Sequence, residues 1–198
     1  MNKKNKDVRF DKRAAKYDDG FAGKASRRFY DLLLKQTELF TGAAVLDVGC
    51  GTGTILRRMA DVCSINGFGI DVEDNMINEA KKKCPQMVFQ VSRCDETTFD
   101  NQFFDIITAC MSYHHFDNKD GFAKEASRLL KTGGVLHIAD PRFPRIIRQA
   151  FNGLLKLFRV TGQFFKPDEI AIFFSNYGFE SVGFAYDGYA QVVSLRKK

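Results

Sequence analysis

The segment that decides the fold runs from Val45 to Gly53 and reads Val-Leu-Asp-Val-Gly-Cys-Gly-Thr-Gly. A short strand-like run over 43–48 enters a glycine-rich turn, and a helical pattern follows from Thr54 to Val62. Glycine permits a sharp turn and lets a ligand approach the backbone closely, and the N-terminus of the next helix presents unpaired N–H groups. The segment therefore predicts a strand–loop–helix unit with a ligand site at the loop.

The glycine spacing distinguishes between classes of ligand. A dinucleotide-binding fingerprint, GxGxxG, that began at Gly49 would need glycine at position 54, where the chain has threonine. A phosphate-binding loop is excluded because no Gly-Lys-Ser/Thr follows. Asp47, two residues before the loop, suits a cationic ammonium group better than a pyrophosphate. The loop thus favours a ligand with an ammonium group, and a nicotinamide oxidoreductase is the weaker alternative.

Two further acids follow the next two predicted strands. Asp71 ends the strand over 65–70, where a carboxylate can accept hydrogen bonds from both hydroxyls of a ribose. Asp95 follows the strand over 87–91, where it can accept a bond from the exocyclic amine of an adenine. Three acids at successive strand ends beside a glycine loop predict a ligand that is an adenosine carrying an amino acid.

The alternation of strands and helices predicts the architecture. Strand-like and helix-like segments alternate from residue 43 to residue 139, which is typical of βαβ units in a parallel, doubly wound α/β sheet with helices on both faces. A helix over 118–131 is predicted to end at Gly133, and Asp74 is the predicted N-cap of an earlier helix. Near the C-terminus, Asp187-Gly188 supplies the turn of an antiparallel hairpin.

This pattern predicts a single domain with four parts. They are an N-terminal helical cap (1–40), a cofactor-binding core (43–140), a substrate lid (141–166) and a helix followed by the hairpin (167–198). No apolar run approaches the ~18 residues that span a bilayer, and the charged N-terminus lacks the apolar core of a signal peptide. Five cysteines without metal-ligand spacing predict reduced thiols and no metal site, and cytoplasmic localisation is the expectation. The net charge of +6 selects no class of partner.

These motifs together resemble a known family. The resemblance rests on FDKRAAKYD at 10–18, VLDVGCGTG, GIDVEDNMI, the aspartate at 95, FDIITACMSYHHF, LLKTGGVLHIADP and the final hairpin. In these motifs the chain resembles class I S-adenosylmethionine-dependent methyltransferases, in the group that includes the ubiquinone/menaquinone-biosynthesis methyltransferases. The resemblance implies a Rossmann-like seven-stranded sheet whose last strand is antiparallel. It also implies S-adenosyl-L-methionine as cofactor, S-adenosyl-L-homocysteine as product and a small-molecule acceptor.

The resemblance also implies roles for individual residues. Asp47, Gly49 and Gly51 contact the methionyl part of the cofactor. Asp71 contacts the ribose and Asp95 contacts the adenine, while residues around Tyr17 cover the cofactor. The full predicted cofactor-binding set adds Cys50, Thr52, Gly53, Val72, Met76, Cys94, Glu96 and Cys110.

The fourth strand ends in Cys110-Met111-Ser112-Tyr113-His114-His115-Phe116, which we expect to face the transferred methyl group. His115 or His114 could act as the general base, because an imidazole titrates near neutrality. Alternatively a histidine only packs there, since alignment alone can supply ~7–11 kcal/mol of the barrier. The segment lacks the acid-or-Asn-Pro-Pro-aromatic pattern of nucleic-acid amino methyltransferases, which disfavours nucleic acid as a partner. Cys110 follows alanine, not the proline that commonly precedes the nucleophilic cysteine in RNA cytosine methylation.

The segment from Phe143 to Val160 reads as a cationic amphipathic helix. Its apolar stripe is Phe143, Ile147, Phe151, Leu154 and Phe158, and its basic residues are Arg145, Arg148, Lys156 and Arg159. Three interpretations remain: a lid over an apolar acceptor, peripheral membrane contact, or ordinary packing on the sheet. The predicted function is methyl transfer to a small, partly apolar molecule. A noncatalytic S-adenosylmethionine-binding protein or a methyltransferase-fold partner subunit is the alternative, and the oligomeric state is not predicted.

Overall fold

The computed structural model of the chain describes residues 20–158 and 162–198. This part of the chain holds six α-helices and seven strands. In chain order they are α1 (Phe21–Gln36), β1 (Ala44–Val48), α2 (Thr54–Val62), β2 (Asn66–Asp71), α3 (Asp74–Lys83), β3 (Val88–Val91), β4 (Phe104–Cys110), α4 (Lys119–Leu129), β5 (Leu130–Pro141), α5 (Arg145–Leu157), α6 (Pro167–Ser175), β6 (Phe179–Asp187) and β7 (Ala190–Lys197). A 3₁₀ turn, Tyr113–His115, follows β4. No described helix has both the length and the apolarity needed to cross a membrane.

The seven strands form one sheet in the order β3-β2-β1-β4-β5-β7-β6. The pairs among β1 to β5 are parallel, whereas β7 runs antiparallel to both of its neighbours, β5 and β6. The predicted fold class, a mostly parallel Rossmann-like sheet with an antiparallel C-terminal hairpin, is therefore confirmed. The strand order reverses between β1 and β4, and ligands of such sheets bind at the carboxyl ends of strands beside this reversal.

The core has two layers because side chains of a strand alternate between the faces of the sheet. From β1, Leu46 and Val48 pack on the face covered by α4 and α6, whereas Val45 packs on the face covered by α1, α2 and α3. Phe122 of α4 and Phe29 of α1 are among the large side chains buried in these layers. Helices therefore cover both faces, as a buried parallel sheet requires.

Two local expectations about helix ends differ from the structure. Strand β5 already begins at Leu130, and the predicted helix end at Gly133 lies inside this strand, where pairing with β4 jumps from Leu130 to Val135. Asp74 is the first residue of α3 and Glu73 is its N-cap.

The helix predicted over 143–160 is Arg145–Leu157, and Arg159 and Val160 lie outside the described residues. No residue of α5 is buried. The interpretation of this helix as ordinary packing on the sheet therefore does not hold. Phe151 contacts the rings of Phe143 and Phe164, at 5.2 and 6.5 Å between centroids, whereas most of the apolar stripe is exposed.

Candidate functional site

A cavity of about 630 Å³ opens at the carboxyl ends of β1, β2, β3 and β4. Its wall comes from the glycine loop after β1, the turn after β2, the segments after β3 and β4, and α1. The predicted residues that line it are Asp47, Gly49, Cys50, Gly51, Thr52, Asp71, Val72, Met76, Cys94, Cys110 and His115. The strand ends thus bring most of the predicted site residues together at the reversal in strand order.

The glycine loop is built by three residues with positive φ. Gly49, Gly51 and Gly53 have φ of 73°, 52° and 75°, a region that side chains other than that of glycine rarely adopt. A Cβ on Gly49 would lie 2.5 Å from the Cβ of Ser112, whereas a Cβ on Gly51 would meet nothing within 4 Å. The loop therefore packs tightly against the segment after β4 at Gly49 and leaves space beside Gly51.

Asp71 links the glycine loop to the turn after β2. Its Oδ2 accepts a hydrogen bond of 2.9 Å from the Gly51 N–H, and its Oδ1 accepts one of 3.0 Å from the Glu73 N–H. Burial raises the pKa of this carboxyl above its ordinary value, and the backbone N–H donors lower it in part. Asp71 lines the cavity, and its carboxylate positions the glycine loop there.

Asp47 is a buried acid at the base of the cavity. Its Oδ1 accepts a hydrogen bond of 2.6 Å from the hydroxyl of Thr108, and only 2% of its surface is exposed. Burial raises the pKa of Asp47 to about 7, against the lowering effect of the Thr108 bond, and the charge of Asp71 raises it further. A cationic group in the cavity would favour the ionised form of this carboxyl.

This raised pKa predicts a pH-dependent stability. An unfolded aspartate titrates near pH ~3.9, so between about pH 4 and pH 7 the folded state binds a proton that the unfolded state lacks. The contribution of Asp47 is fully present below about pH 4 and is lost as the pH rises through 7, with a total on the order of 4 kcal/mol. We therefore expect Asp47→Asn to gain stability relative to the unmodified chain as the pH is raised from 5 to 8.

The measurement is urea unfolding of both proteins, without added cofactor, at the two pH values. The difference in free energy of unfolding between the two proteins at pH 5 is compared with the difference at pH 8. The contributions of all other titrating groups cancel in this comparison. An asparagine can still accept the Thr108 hydrogen bond, so the comparison isolates the charge. A difference that does not change with pH would show that Asp47 is ionised throughout.

The structure places three predicted cofactor residues away from the cavity wall. The Asp95 carboxylate accepts bonds of 2.9 and 3.1 Å from the Arg93 guanidinium and one of 2.7 Å from Asn118 Nδ2. These partners hold the pKa of Asp95 below its ordinary value. Glu96 forms a β-bridge with Arg93, and Gly53 is the N-cap of α2, where an added Cβ would lie 3.0 Å from the Phe89 ring. At this edge the cavity is instead lined by Ser92, Arg93 and Cys94.

The two candidate bases occupy different environments. His115 lines the cavity, whereas the ring of His114 is buried and its Nδ1 lies 2.8 Å from Oδ1 of the buried Asp140. The His114 ring packs between His115, at 4.0 Å between ring centroids, and Phe164, at 5.0 Å. The expectation that both histidines face the cavity therefore differs from the structure, because Asp140 at the end of β5 binds His114.

Several residues of the site were missing from the sequence prediction. The Ser112 hydroxyl donates a 2.7 Å bond to the Val48 carbonyl and so joins the ends of β4 and β1. Ser26 and Tyr30 of α1 line the cavity, so the N-terminal helix covers it. Tyr17, predicted for that role, lies outside the described residues. The helical pattern of the N-terminal segment predicted a cap, but it did not indicate which side chains face inward.

The cysteines at the site are neutral thiols. Burial raises the pKa of Cys50 and Cys110 well above the ordinary value, and it raises that of Cys94 to about 11. Thiolates are the nucleophilic form of cysteine, so these three side chains serve as apolar wall.

Comparison with known proteins agrees with this geometry. Residues 45–134 match a family model described as a methyltransferase domain. The demethylmenaquinone methyltransferase of Chlorobaculum tepidum is 32% identical over 111 residues, which are 56% of this chain and 46% of that protein. Phosphoethanolamine N-methyltransferase 1 of Zea mays is 30% identical over 128 residues, 63% of this chain and 26% of that protein. The chain spans less than half the length of these two relatives.

Solved structures share the fold over nearly the whole chain. A methyltransferase from Aquifex aeolicus, described as SAM dependent, has a TM-score of 0.71 at 21% identity. The alignment covers 93% of this chain and 97% of the Aquifex chain. A Haloferax volcanii protein solved in complex with the Trm112 methyltransferase activator has a TM-score of 0.80 at 18% identity. That alignment covers 94% of this chain and 96% of the Haloferax chain. The chain is related to the class I S-adenosylmethionine-dependent methyltransferases. The predicted resemblance and the predicted cofactor, S-adenosylmethionine, are thereby confirmed.

The described residues fit that cofactor. The open space beside Gly51 lets a ligand approach the loop backbone, as the glycine cradle of an adenosyl ligand requires. Asp47 and Asp71 supply two carboxylates on one wall, which suit an ammonium group and ribose hydroxyls. The assignment of individual residues to individual parts of the cofactor stays a prediction.

Proposed function

We propose that the chain is an S-adenosylmethionine-dependent methyltransferase acting on a small, partly apolar molecule. The observation that carries this proposal is the continuity of one cavity from the acidic glycine-loop wall, at Asp47 and Asp71, to His115. When bound, S-adenosylmethionine supplies an electrophilic methyl group on a sulfonium. The residues of the chain then need to orient the acceptor and remove its proton where it has one.

The surroundings of His115 support a partly apolar acceptor. Met111 and Phe116 line the cavity beside it. Behind His115, the rings of His114 and Phe164 are stacked, and Phe164 also contacts Phe143 at 5.0 Å between ring centroids. The wall beside His115 is therefore partly apolar, and Ser112 and Asp117 are further polar residues in it. In the predicted lid segment 141–166, Phe143 and Phe164, which flank α5, are proposed to cover the acceptor side.

In this proposal each part of the site has one task. The Asp47 carboxylate holds the ammonium group, and Asp71 holds the ribose and fixes the Gly51 backbone. His115 accepts a proton from the acceptor if the attacking atom carries one. The buried Asp140 binds His114, which in turn packs on His115 and limits the orientations of its ring.

Two measurements in sequence test the proposal. Isothermal titration with S-adenosylhomocysteine, S-adenosylmethionine and NAD should show binding of the two adenosyl ligands and none of NAD. Methyl transfer to a library of small phenols, enols and amines should then yield a methylated product. Binding without transfer to any acceptor, including nucleic acid, would favour the noncatalytic binding protein or partner subunit.

A further inference from the structure

Helix α5 presents its apolar side to the solvent. None of its thirteen residues is buried, although seven of them are apolar. Ile146, Leu157 and the adjoining Phe158 are 81%, 74% and 67% exposed. Exposed apolar residues are ordinary when they are scattered, but a contiguous patch of them marks a surface that another body covers.

The helix is attached to the domain by two polar side chains, and at the edge of its apolar side by Phe151, whose ring lies 6.5 Å from that of Phe164 between centroids. Arg148 forms a 2.5 Å ion pair with Glu169 of α6. Asn152 exchanges two hydrogen bonds of 3.0 Å with the backbone of Phe164, as donor and as acceptor. These two residues, four positions apart, lie on one helix face, so their contacts fix the rotation of α5. The apolar side is thereby held outward, opposite to the usual orientation of a surface helix.

Three stripes follow one another around the outer surface of α5. Two of these stripes are apolar and together form the apolar face. By helical spacing, the first consists of Ile147, Phe151, Leu154 and Phe158, and the second of Ile146, Ala150 and Leu157. The third stripe is polar and basic, with Arg145 and Lys156 separated by three helical turns, and both side chains are exposed. The apolar face is therefore bordered on one side by cations and on the other by the protein.

The charges of α5 are all of one sign. Its sequence, RIIRQAFNGLLKL, contains no acidic residue, and Arg142 just before it is also exposed. The Arg142 guanidinium lies 4.7 Å from the ring centroid of Tyr186, which is itself 47% exposed. An apolar face bordered by arginine and lysine complements an anionic lipid surface, where acyl chains meet the apolar side chains and headgroups meet the cations.

We propose that α5 binds peripherally to an anionic lipid bilayer, with the apolar face defined above seated at the boundary between headgroups and acyl chains. This inference is independent of the proposed methyl transfer. Binding is expected to need both contributions, because apolar burial anchors such a helix while each nearby cation adds electrostatic attraction. The same face could alternatively cover a second copy of the chain, and the experiments below separate these outcomes.

The first test is flotation of the purified full chain with vesicles. We expect binding to phosphatidylglycerol–phosphatidylcholine vesicles and much weaker binding to phosphatidylcholine alone. Leu157→Asp should lower the partition coefficient by at least about tenfold, because it places an anion in the apolar face. Lys156→Ala should lower the partition coefficient by about fivefold, which is the effect of losing about one surface cation. Binding of the unmodified chain should weaken as the salt concentration is raised. Val62→Asp, at a 69% exposed valine of α2, is the matched control and should bind like the unmodified chain.

A second test locates the helix directly. The chain contains no tryptophan, so a single Leu157→Trp substitution gives a fluorophore without background. Its emission should shift to the blue on addition of anionic vesicles and be quenched by brominated acyl chains. Val62→Trp should show neither effect. Circular dichroism of each variant verifies that it is folded, which is expected because both positions are exposed.

Three results would overturn the proposal. The first is that the unmodified chain fails to float with anionic vesicles at low salt. The second is that Leu157→Asp floats as well as the Val62→Asp control. The third is a dimer in sedimentation velocity that Leu157→Asp dissociates, because the face would then be covered by a second copy. S-adenosylhomocysteine binding, measured in parallel, reports on the proposed function separately, since α5 contributes no residue to the cavity wall.

Discussion

Asp71→Ala is expected to weaken S-adenosylhomocysteine binding by about a hundredfold or more in isothermal titration. The substitution removes a carboxylate that faces the cavity and also the acceptor of two backbone bonds, from the N–H groups of Gly51 and Glu73. Hydrogen bonds to a charged group contribute about 1.5–3 kcal/mol each. The loss of two such bonds to a ribose corresponds to about a hundredfold in affinity at the lower end of that range.

Asp74→Ala is the matched control for this prediction. Asp74 is three residues further on, is exposed, and lies at the start of α3. Its replacement should leave the affinity within about twofold, since surface substitutions away from a site have small effects. Thermal unfolding of Asp71→Ala establishes that the protein is folded. If the folded variant retains its affinity, Asp71 only positions the loop and the ribose assignment is wrong.

The glycine loop and the sheet could be predicted because their causes are local. Gly49, Gly51 and Gly53 need positive φ, and their spacing sits between a strand and a helix of ordinary pattern. The alternation of strands and helices then leaves few topologies, since parallel crossovers have one preferred hand. The place of Asp47 beside the loop could be predicted from the same segment. All of these residues lie within about ten positions of one another, so local sequence is enough to predict their arrangement.

The differences at the site arise from partners that are distant in sequence. The carboxylate of Asp95 accepts a hydrogen bond from Asn118, 23 positions away, and its contact with an adenine stays a prediction. His114 and His115 are adjacent and chemically alike in the sequence. Only the pairing of β4 with β5 brings Asp140 to within 2.8 Å of one of them. A pattern in one segment does not report such pairs.

The orientation of α5 could not be predicted from the sequence either. Its apolar stripe is correctly spaced, and such a stripe normally faces the core. Two polar contacts, Arg148 with Glu169 and Asn152 with the Phe164 backbone, fix a rotation that leaves most of the stripe exposed. Neither partner can be identified before the fold places α6 beside the helix. Amphipathicity therefore predicted the helix, while its rotation depended on tertiary contacts.

His115→Ala is expected to lower kcat by about a hundredfold if the acceptor loses a proton in the transfer, because a positioned base contributes about 10²–10⁴. S-adenosylhomocysteine affinity should stay within about twofold, since the glycine-loop wall is unchanged. The cavity position of His115, beside Met111 and Phe116, is the reason for choosing it over the buried His114. The measurement is single-turnover kinetics with an acceptor found in the library screen, with affinity measured on the same preparations.

His115→Gln separates a base from a wall residue at this position. Glutamine keeps a polar side chain of similar length but cannot accept a proton near neutral pH. If His115 is the base, the glutamine variant should be as slow as the alanine variant, and the acidic limb of the pH–rate profile should disappear in both. If the residue only shapes the wall, glutamine should restore most of the rate and both profiles should keep that limb. A loss below about threefold in His115→Ala would assign the rate to alignment alone, which can supply ~7–11 kcal/mol without any base.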